Sequence, residues 1–468
     1  MSSSIEKKIK TIFIVAAMVF VGQFFSAQAT TKQPNIVLVV ADDMSWADAG
    51  CYGNKDVKTP TLDAMAKEGL RFTHCFTGTA MCAPTRQQLY TGIFPKRNGA
   101  VGNHTKVHKG TKSIVHHLEA LGYTVALQGK KHFGPKKSFP FKNTSLKELC
   151  EGEKPFAYIF CSNNPHLPWT SGEKFSYDPA SFTIPPYLLD TPETRTALST
   201  YYKEISALDQ QVKKLLDTLK TTHKDQDTLV LFTSEQGSAF PRAKWTCYDM
   251  GLRTALIARW PGQIQAGTVT DAMVRYVDVV PTLVELAGGD PKAIDTGRDG
   301  ATDGGRGFDG FSFADVLKGT KKEHAQWTYG IQTKPGVPLR SVRSKQFKYI
   351  LNTNPGTEFS CNAWRVSGPK ETLASWHTLA ETDSKAKSTM DEIITPPKEM
   401  LFAIDKDPYE QNNLVHNPEY EQVLGKMREQ LAVWMKQQGD EGLTGKTKDK
   451  KSKGKKSKGK KNKGNNND

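Results

Sequence analysis

The apolar, β-branched run at 35–40 (NIVLVV) ends just short of two successive acids, Asp42 and Asp43. A second apolar run at 228–232 (TLVLF) ends in Thr233, Ser234, Glu235, Gln236 and Gly237. Open α/β sheets bind ligands at the carboxyl ends of their strands. Two oxygen-rich strand ends in one sheet could therefore offer several ligands to a hard cation such as calcium or magnesium. Either pair alone reads equally well as a turn or capping group. A third element is Cys82-Ala83-Pro84-Thr85-Arg86. Pro84 suits a first helical turn, which puts Cys82 at a helix N-terminus, where the dipole favours anions. Arg86, four residues on, returns to the same face. The plainer alternative is a buried structural cysteine beside a surface arginine.

These residues need a scaffold of parallel strands. Further apolar runs at 123–127, 156–160 and 255–258 alternate with helical patterns at 61–69, 111–121, 193–219 and 276–287, which predicts an α/β body with a mostly parallel sheet over 30–330. The Gly- and Asp-rich stretch 290–311 reads as an exposed loop. Strands at 340–352 and 399–405 with a closing helix at 419–434 suggest a smaller C-terminal subdomain over 331–440. The Lys-rich tail, 441–468, has Leu443 as its one apolar side chain and is expected to be disordered.

With 468 residues the chain exceeds the ~150 of an ordinary domain, and 37% hydrophobic and 24% charged residues exclude a polytopic membrane protein. The net charge of +15 is unevenly placed. Residues 446–468 hold 11 Lys and two Asp, a surplus of +9, the first ten residues add +2, and the rest carries +4. A nucleic-acid partner would rest on the tail alone and is not expected.

Residues 1–29 read as a signal peptide. Lys7, Lys8 and Lys10 precede an apolar stretch at 11–25, and Ala27-Gln28-Ala29 supplies a small-x-small cleavage site. That stretch is shorter than the ~20 residues of a bilayer span. The mature chain is expected to start near Thr30, to be secreted or periplasmic, and to have no membrane span. It would keep Cys51, Cys75, Cys82, Cys150, Cys161, Cys247 and Cys361. In an oxidising compartment an odd count leaves one thiol over, or one cysteine with other work. Cys82 is the candidate for that work, and the pairing of the other six is open. No C-x-x-C pair occurs, so a zinc cluster is not expected.

Cys82-x-Pro84-x-Arg86 resembles the maturation signature of the type I sulfatases, whose cysteine is oxidised to formylglycine. Other blocks agree in order. Asp42-Asp43-Met44-Ser45-Trp46 with Gly50-Cys51-Tyr52-Gly53 resembles the family's opening metal motif, and Thr59-Pro60-Thr61-Leu62-Asp63 its T-P-N-L-D segment. Gly129-Lys130-Lys131-His132-Phe133-Gly134 is similar to G-K-W-H-L-G, and Pro165-His166-Leu167-Pro168 to P-H-x-P. The stretch 244–253 (KWTCYDMGLR) resembles K-x-x-x-Y-E-x-G-x-R, Trp260-Pro261-Gly262 matches W-P-G, and Asp407-Pro408-Tyr409-Glu410 with Asn413-Leu414 resembles D-P-x-E-x-x-N-L. The resemblance spans about residues 34–436.

It implies an alkaline-phosphatase-like sulfatase fold and a sulfuric ester hydrolase, which needs a formylglycine-generating maturation enzyme as a partner. Asp42, Asp43, Glu235 and Gln236, with an oxygen of modified Cys82 or of the sulfate, would hold one divalent cation, calcium in preference to magnesium. One hydroxyl of the hydrated formylglycine would attack sulfur, and the second would then expel sulfate and restore the aldehyde. Arg86 would orient that hydrate, and Lys130 and Lys244 would contact sulfate oxygens. His132 would deprotonate the second hydroxyl, and His166 or Lys244 would assist the leaving group. Outside this frame His132 and His166 are ordinary histidines. His104 has no motif behind it, though it could line a substrate pocket.

The departures are specific. Glu235-Gln236 stands where the family usually has Asp followed by Asn or His, each side chain a methylene longer. The backbone must then sit farther back to keep an oxygen about 2.3–2.6 Å from calcium. Thr85 replaces the usual serine, Lys131 a tryptophan, and Ser45 a glycine. The Glu-Gln pair and the following Ser238-Ala239-Phe240-Pro241 suggest a sulfamidase-like branch. A sulfated polysaccharide or oligosaccharide is the expected substrate, with N-sulfoglucosamine and O-sulfated algal or host glycans both open. The competing readings are a phosphomonoester or phosphonate hydrolase of the same superfamily, and a catalytically silent binder of sulfated glycans.

Overall fold

A computed structural model describes residues 33–301, 304–333 and 336–442. The expected signal peptide, the Lys-rich tail beyond residue 442, and with them the leader and tail boundaries lie outside the described residues.

Asn35–Ala41 forms strand β1, buried along its whole length. Its side chains alternate between two cores: Val37 and Val39 join one apolar cluster, Ile36, Leu38 and Val40 the other. A strand covered on both faces has no polar side to show, which is why its sequence is an unbroken apolar run. Seven further strands complete the sheet: β2 (Leu70–Phe76), β3 (Thr124–Gly129), β4 (Phe156–Cys161), β5 (Thr228–Ser234), β6 (Arg253–Arg259), β7 (Thr268–Thr270) and β8 (Val274–Arg275). The order is β3-β4-β1-β5-β6-β2-β7, with β8 also on β2. β3, β4, β1 and β5 run parallel, whereas β6 is antiparallel to both of its neighbours.

Register then decides what meets at the carboxyl edge. Val40 pairs with Cys161, Ala41 with Ser234, and Gly129 with Cys161. Asp42, Glu235, Lys130 and the loop to His166 therefore leave four adjacent parallel strands at one level. Backbone bonds carry the ladder one step further: Asp42 N donates to Asn164 O at 3.0 Å, Glu235 N to Ala41 O at 2.9 Å, and Lys130 N to Cys161 O at 3.1 Å. Gly129 is required here. Its φ is +96°, and a Cβ would lie 1.9 Å from the Cys161 carbonyl oxygen.

The second sheet is antiparallel: β9 (Thr328–Ile331), β10 (Leu339–Arg343), β11 (Phe347–Asn352) and β12 (Glu399–Ala403), in the order β12-β11-β10-β9. The stretch 340–352, read as one strand, is a hairpin. The Glu421–Gln437 helix packs its Leu424, Met427, Leu431 and Trp434 onto this sheet, with the Trp434 ring stacked on Tyr329 at 4.7 Å and 2°. β9 also reaches the site, since Ile331 N donates to Gly78 O at 2.8 Å, just before Cys82.

Two expectations need correction. The 290–311 stretch is not simply exposed. Arg97 reaches into it, pairing with Asp309 at 2.8 Å and donating to Asp299 O and Arg298 O, while Thr296 is fully buried. The cysteines, read from an odd count as candidates for disulfides, are seven free thiols, six of them buried. Cys161, for example, lies 3.1 Å from the Tyr90 hydroxyl. Among the described residues no helix is long and apolar enough to cross a membrane.

Candidate active site

Cys82 opens the Cys82–Thr91 helix, every residue of which is buried. Leading into it, β2 delivers the chain to the carboxyl edge. The turn is tied down by Trp245 N donating to Ala80 O at 2.9 Å and by the Thr85 hydroxyl donating to Thr79 O at 2.5 Å. Thr85 thus uses its hydroxyl locally, which serine could also do, and buries the extra methyl.

One ligand atom each from Asp42, Asp43, Cys82 and Glu235 lies within 4.8 Å of the others, and all four residues are buried. Cations surround them. Arg86 Nε is 2.5 Å from Glu235 Oε2, Lys130 Nζ 2.6 Å from Asp42 Oδ2, and Lys244 Nζ 2.6 Å from Asp43 Oδ2. His166 Nε2 stands 3.7 Å from Asp43 Oδ2. Asp43 adopts a left-handed φ of 66°, a conformation aspartate tolerates better than most residues.

Burial alone would discharge the Lys130, Lys244 and Arg86 groups, but the carboxylates around them outweigh it and keep all three charged. Burial also works against the Glu235 carboxylate, yet Arg86 and Lys130 hold it well below the usual range. Burial and the charge on Glu235 push Asp42 up, so Glu235 is the firmer anion of the two. Burial opposes protonation of His166, but the Asp43 carboxylate and a hydrogen bond with Cys82 carry it up to about 9. Burial, with Lys130 nearby, depresses His132 to about 4, so that ring is neutral at ordinary pH.

The donor set suits a divalent cation: three buried carboxylates and a neutral amide converge on one point. Gln236 sharpens the fit. Its Nε2 faces Asp43 Oδ1 at 2.8 Å and Glu235 Oε1 at 3.0 Å, while its buried Oε1 has no partner. Reversing the amide turns that oxygen toward the carboxylates, where a cation would use it. The longer Glu235 and Gln236 side chains reach the cluster from a strand end in register with Ala41, as a methylene of extra length permits.

His132 is less central than its motif suggests. Its Nε2 bonds to His104 Nδ1 at 2.9 Å, the rings are 4.7 Å apart, and both residues have left-handed φ values of 44° and 69°. The sequence held no signal for this contact beyond two histidines in polar loops. Lys131 is exposed.

The family model described as "Sulfatase" matches residues 34–152 and 143–289, and the model "N-sulphoglucosamine sulphohydrolase, C-terminal" matches 242–358. An ulvan-active sulfatase of Formosa agariphila is 32% identical over 442 residues, covering 88% of this chain and 82% of that relative. Human N-sulphoglucosamine sulphohydrolase is 27% identical over 456 residues, covering 86% of this chain and 89% of its own. A structure solved with its substrate D-glucosamine-2-N,6-O-disulfate has the same fold, with a TM-score of 0.62 at 18% identity over 88% of this chain and 99% of that one. The chain therefore belongs to the type I sulfatase family and is a sulfuric ester hydrolase.

Proposed function

We propose that this is an exported sulfatase that removes sulfate from sulfated polysaccharides or their oligosaccharides, using a formylglycine made from Cys82. The observation that carries this reading is the position of Cys82, at a helix N-terminus among Asp42, Asp43 and Glu235 and encircled by Arg86, Lys130 and Lys244. Hydrated formylglycine would supply the nucleophilic hydroxyl and, through its second hydroxyl, the means of releasing sulfate. A divalent cation held by Asp42, Asp43, Glu235 and Gln236 would supply positive charge beside that nucleophile and the sulfate oxygens.

The remaining work falls to side chains. Arg86, fully buried and paired with Glu235, is fixed in orientation and can steady negative charge on residue 82. Lys130 and Lys244, whose ammonium groups pair with Asp42 and Asp43, would donate to sulfate oxygens. His166, charged below about pH 9, can give a proton to the departing alcohol or amine. His132 is neutral and can accept one.

For the linkage, we take N-sulfoglucosamine as the first candidate, because the C-terminal model and the human relative share that substrate name. The ulvan-active relative supports an O-sulfated algal glycan as the second. Export to the cell surface, periplasm or medium rests on residues 1–29.

The test is tandem mass spectrometry of the tryptic peptide 72–86 from protein exported by its own host. Because that peptide also contains Cys75, fragmentation must assign any change to position 82. Formylglycine there supports the reading, and an intact thiol overturns it. Matured enzyme is then offered glucosamine 2-N-sulfate and ulvan oligosaccharides, and sulfate release from one of them decides the linkage.

A further inference from the structure

Between His104 and Lys142 the chain carries eight lysines and no arginine against a single acid, Glu119. Lys112 pairs with Asp295 at 3.8 Å and Lys130 with Asp42. Among the described residues Lys106, Lys109, Lys131, Lys136, Lys137 and Lys142 have no ion-pair partner, and all six are exposed. The two loops that carry them adjoin one another at the edge of the large sheet. The loop after β3 returns to that edge strand, with Lys142 N donating to Val125 O at 3.0 Å. The 104–107 loop lies on it: Val107 N donates to Gly134 O at 3.0 Å, and a Cβ at Gly134 would meet the Lys106 stem at 3.2 Å. The same loop supplies Lys130 to the site, so the lysines begin where the catalytic cluster ends.

Adjacent unpaired cations repel one another and contribute nothing to this fold. We propose that this basic edge is the docking surface for the sulfated polysaccharide chain that adjoins the sugar being desulfated. The proposal rests on the substrate class inferred above and extends it from a pocket to a polymer. A polyanion threaded past Lys130 would neutralise several lysines at once and release their counterions, so affinity would fall steeply with salt. Single-stranded nucleic acid is the poorer match. The phenylalanines of this region, Phe133, Phe139 and Phe141, pack together and onto Tyr90 at centroid distances of 4.9–5.8 Å, so none of the three stands free on the surface as a platform for bases.

The test uses the full chain in three forms: wild type, a quadruple variant K109Q/K136Q/K137Q/K142Q, and a control K318Q/K322Q/K370Q/K385Q that loses the same charge from exposed lysines elsewhere. The Lys-rich tail is common to all three, so its contribution cancels. Binding to heparin, to a desulfated preparation of it, and to single-stranded poly-dT is measured from 50 to 400 mM salt. The expected result is an affinity for heparin at least ~5-fold weaker in the patch variant, with a shallower salt dependence, while the control and wild type agree. Turnover of a monosaccharide sulfate should stay within twofold. Equal losses in both variants, no loss in either, or poly-dT bound by the patch as tightly as heparin would each overturn the proposal. Because binding is read without turnover, an enzyme that hydrolyses nothing but still loses heparin with the patch would leave the surface standing and sink only the catalytic reading.

Discussion

Two of the buried clusters of opposite charges among the described residues are built for different ends. One lies at the carboxyl edge of the large sheet, where Asp42, Asp43 and Glu235 meet Arg86, Lys130 and Lys244. The other lies between the two sheets. There Asp249, just before β6, pairs with Arg343 of β10 at 2.9 Å and Lys348 of β11 at 2.7 Å, and Lys348 reaches Glu410 at 3.0 Å. In this second cluster each paired side chain is no more than 2% exposed, and the Arg343 guanidinium lies over the Phe76 ring. In the first, Lys130 is 17% and His166 36% exposed. Burial and perturbed ionisation are alike in both. What separates the candidate active centre from a clamp here is a solvent-facing side, together with a thiol at a helix N-terminus and an unpartnered amide oxygen.

The sharpest way to break that comparison is to take one carboxylate from each. Asp43→Asn keeps an oxygen for Lys244 but removes a charge from the proposed cation site. Hydrolysis should fall at least ~10³-fold, about 4 kcal/mol in the barrier. Adding calcium should raise the melting temperature of the wild type and not of the variant. Full turnover would remove Asp43 from the ligand set. Lys348→Met should do the reverse. It takes the paired cation from Glu410 and leaves Asp249 with Arg343 and the less direct Arg253, which costs about 3–5 kcal/mol of stability by urea titration. The kcat/KM of the folded enzyme should stay within about twofold, and a catalytic loss as large as that of Asp43→Asn would show that the two clusters are not separate.

Part of the candidate site was legible in the sequence, because Asp42 and Glu235 follow continuous apolar runs that mark strands, while Lys130 came into view only as part of a motif. The clamp was not. Asp249 and Glu410 came into view as parts of motifs, but their partners Arg343 and Lys348 lie in ordinary-looking strand residues, and only the antiparallel register of β10 with β11, which pairs those two residues, brings them together. β2 also went unread. Its pattern of Leu70, Arg71, Phe72 and Thr73 alternates in polarity, since its next neighbour on one side is the reversed β6 and on the other a strand of three residues. The cysteine count misled because parity says nothing about distance.

Glu410 allows a finer test of how the clamp is charged. Burial, opposed by Lys348 and reinforced by Asp249, raises its carboxyl to about 7, against 4.5 in an unfolded chain. Between those values the folded state holds a proton that the unfolded chain has lost. The contribution of this group is thus greatest below about pH 4.5, declines as pH rises to about 7, and is level above. Glu410→Gln should flatten that decline in urea midpoints measured from pH 5 to 7.5. A variant profile parallel to the wild type would mean Glu410 is ionised throughout.

The smallest expected effect concerns the open side of the active cluster, a feature the clamp lacks. His132 is neutral near pH 7 and carries one ring proton, so its function depends on which nitrogen holds it. The bond between its Nε2 and His104 Nδ1 couples that choice to the tautomer of His104, so that one ring donates and the other accepts. His104→Ala removes the constraint but no charge from the cluster and no contact with Cys82. The loss of one such hydrogen bond is worth about 1 kcal/mol, so kcat should drop about fivefold while KM for a small substrate is unchanged. His104→Asn, at a left-handed position that asparagine accepts, should recover part of it. The ring ¹⁵N shifts of His132 should move from one tautomer toward a mixture in the alanine variant. If kcat falls without that change, His104 acts by shaping the loop rather than by holding the His132 proton in place.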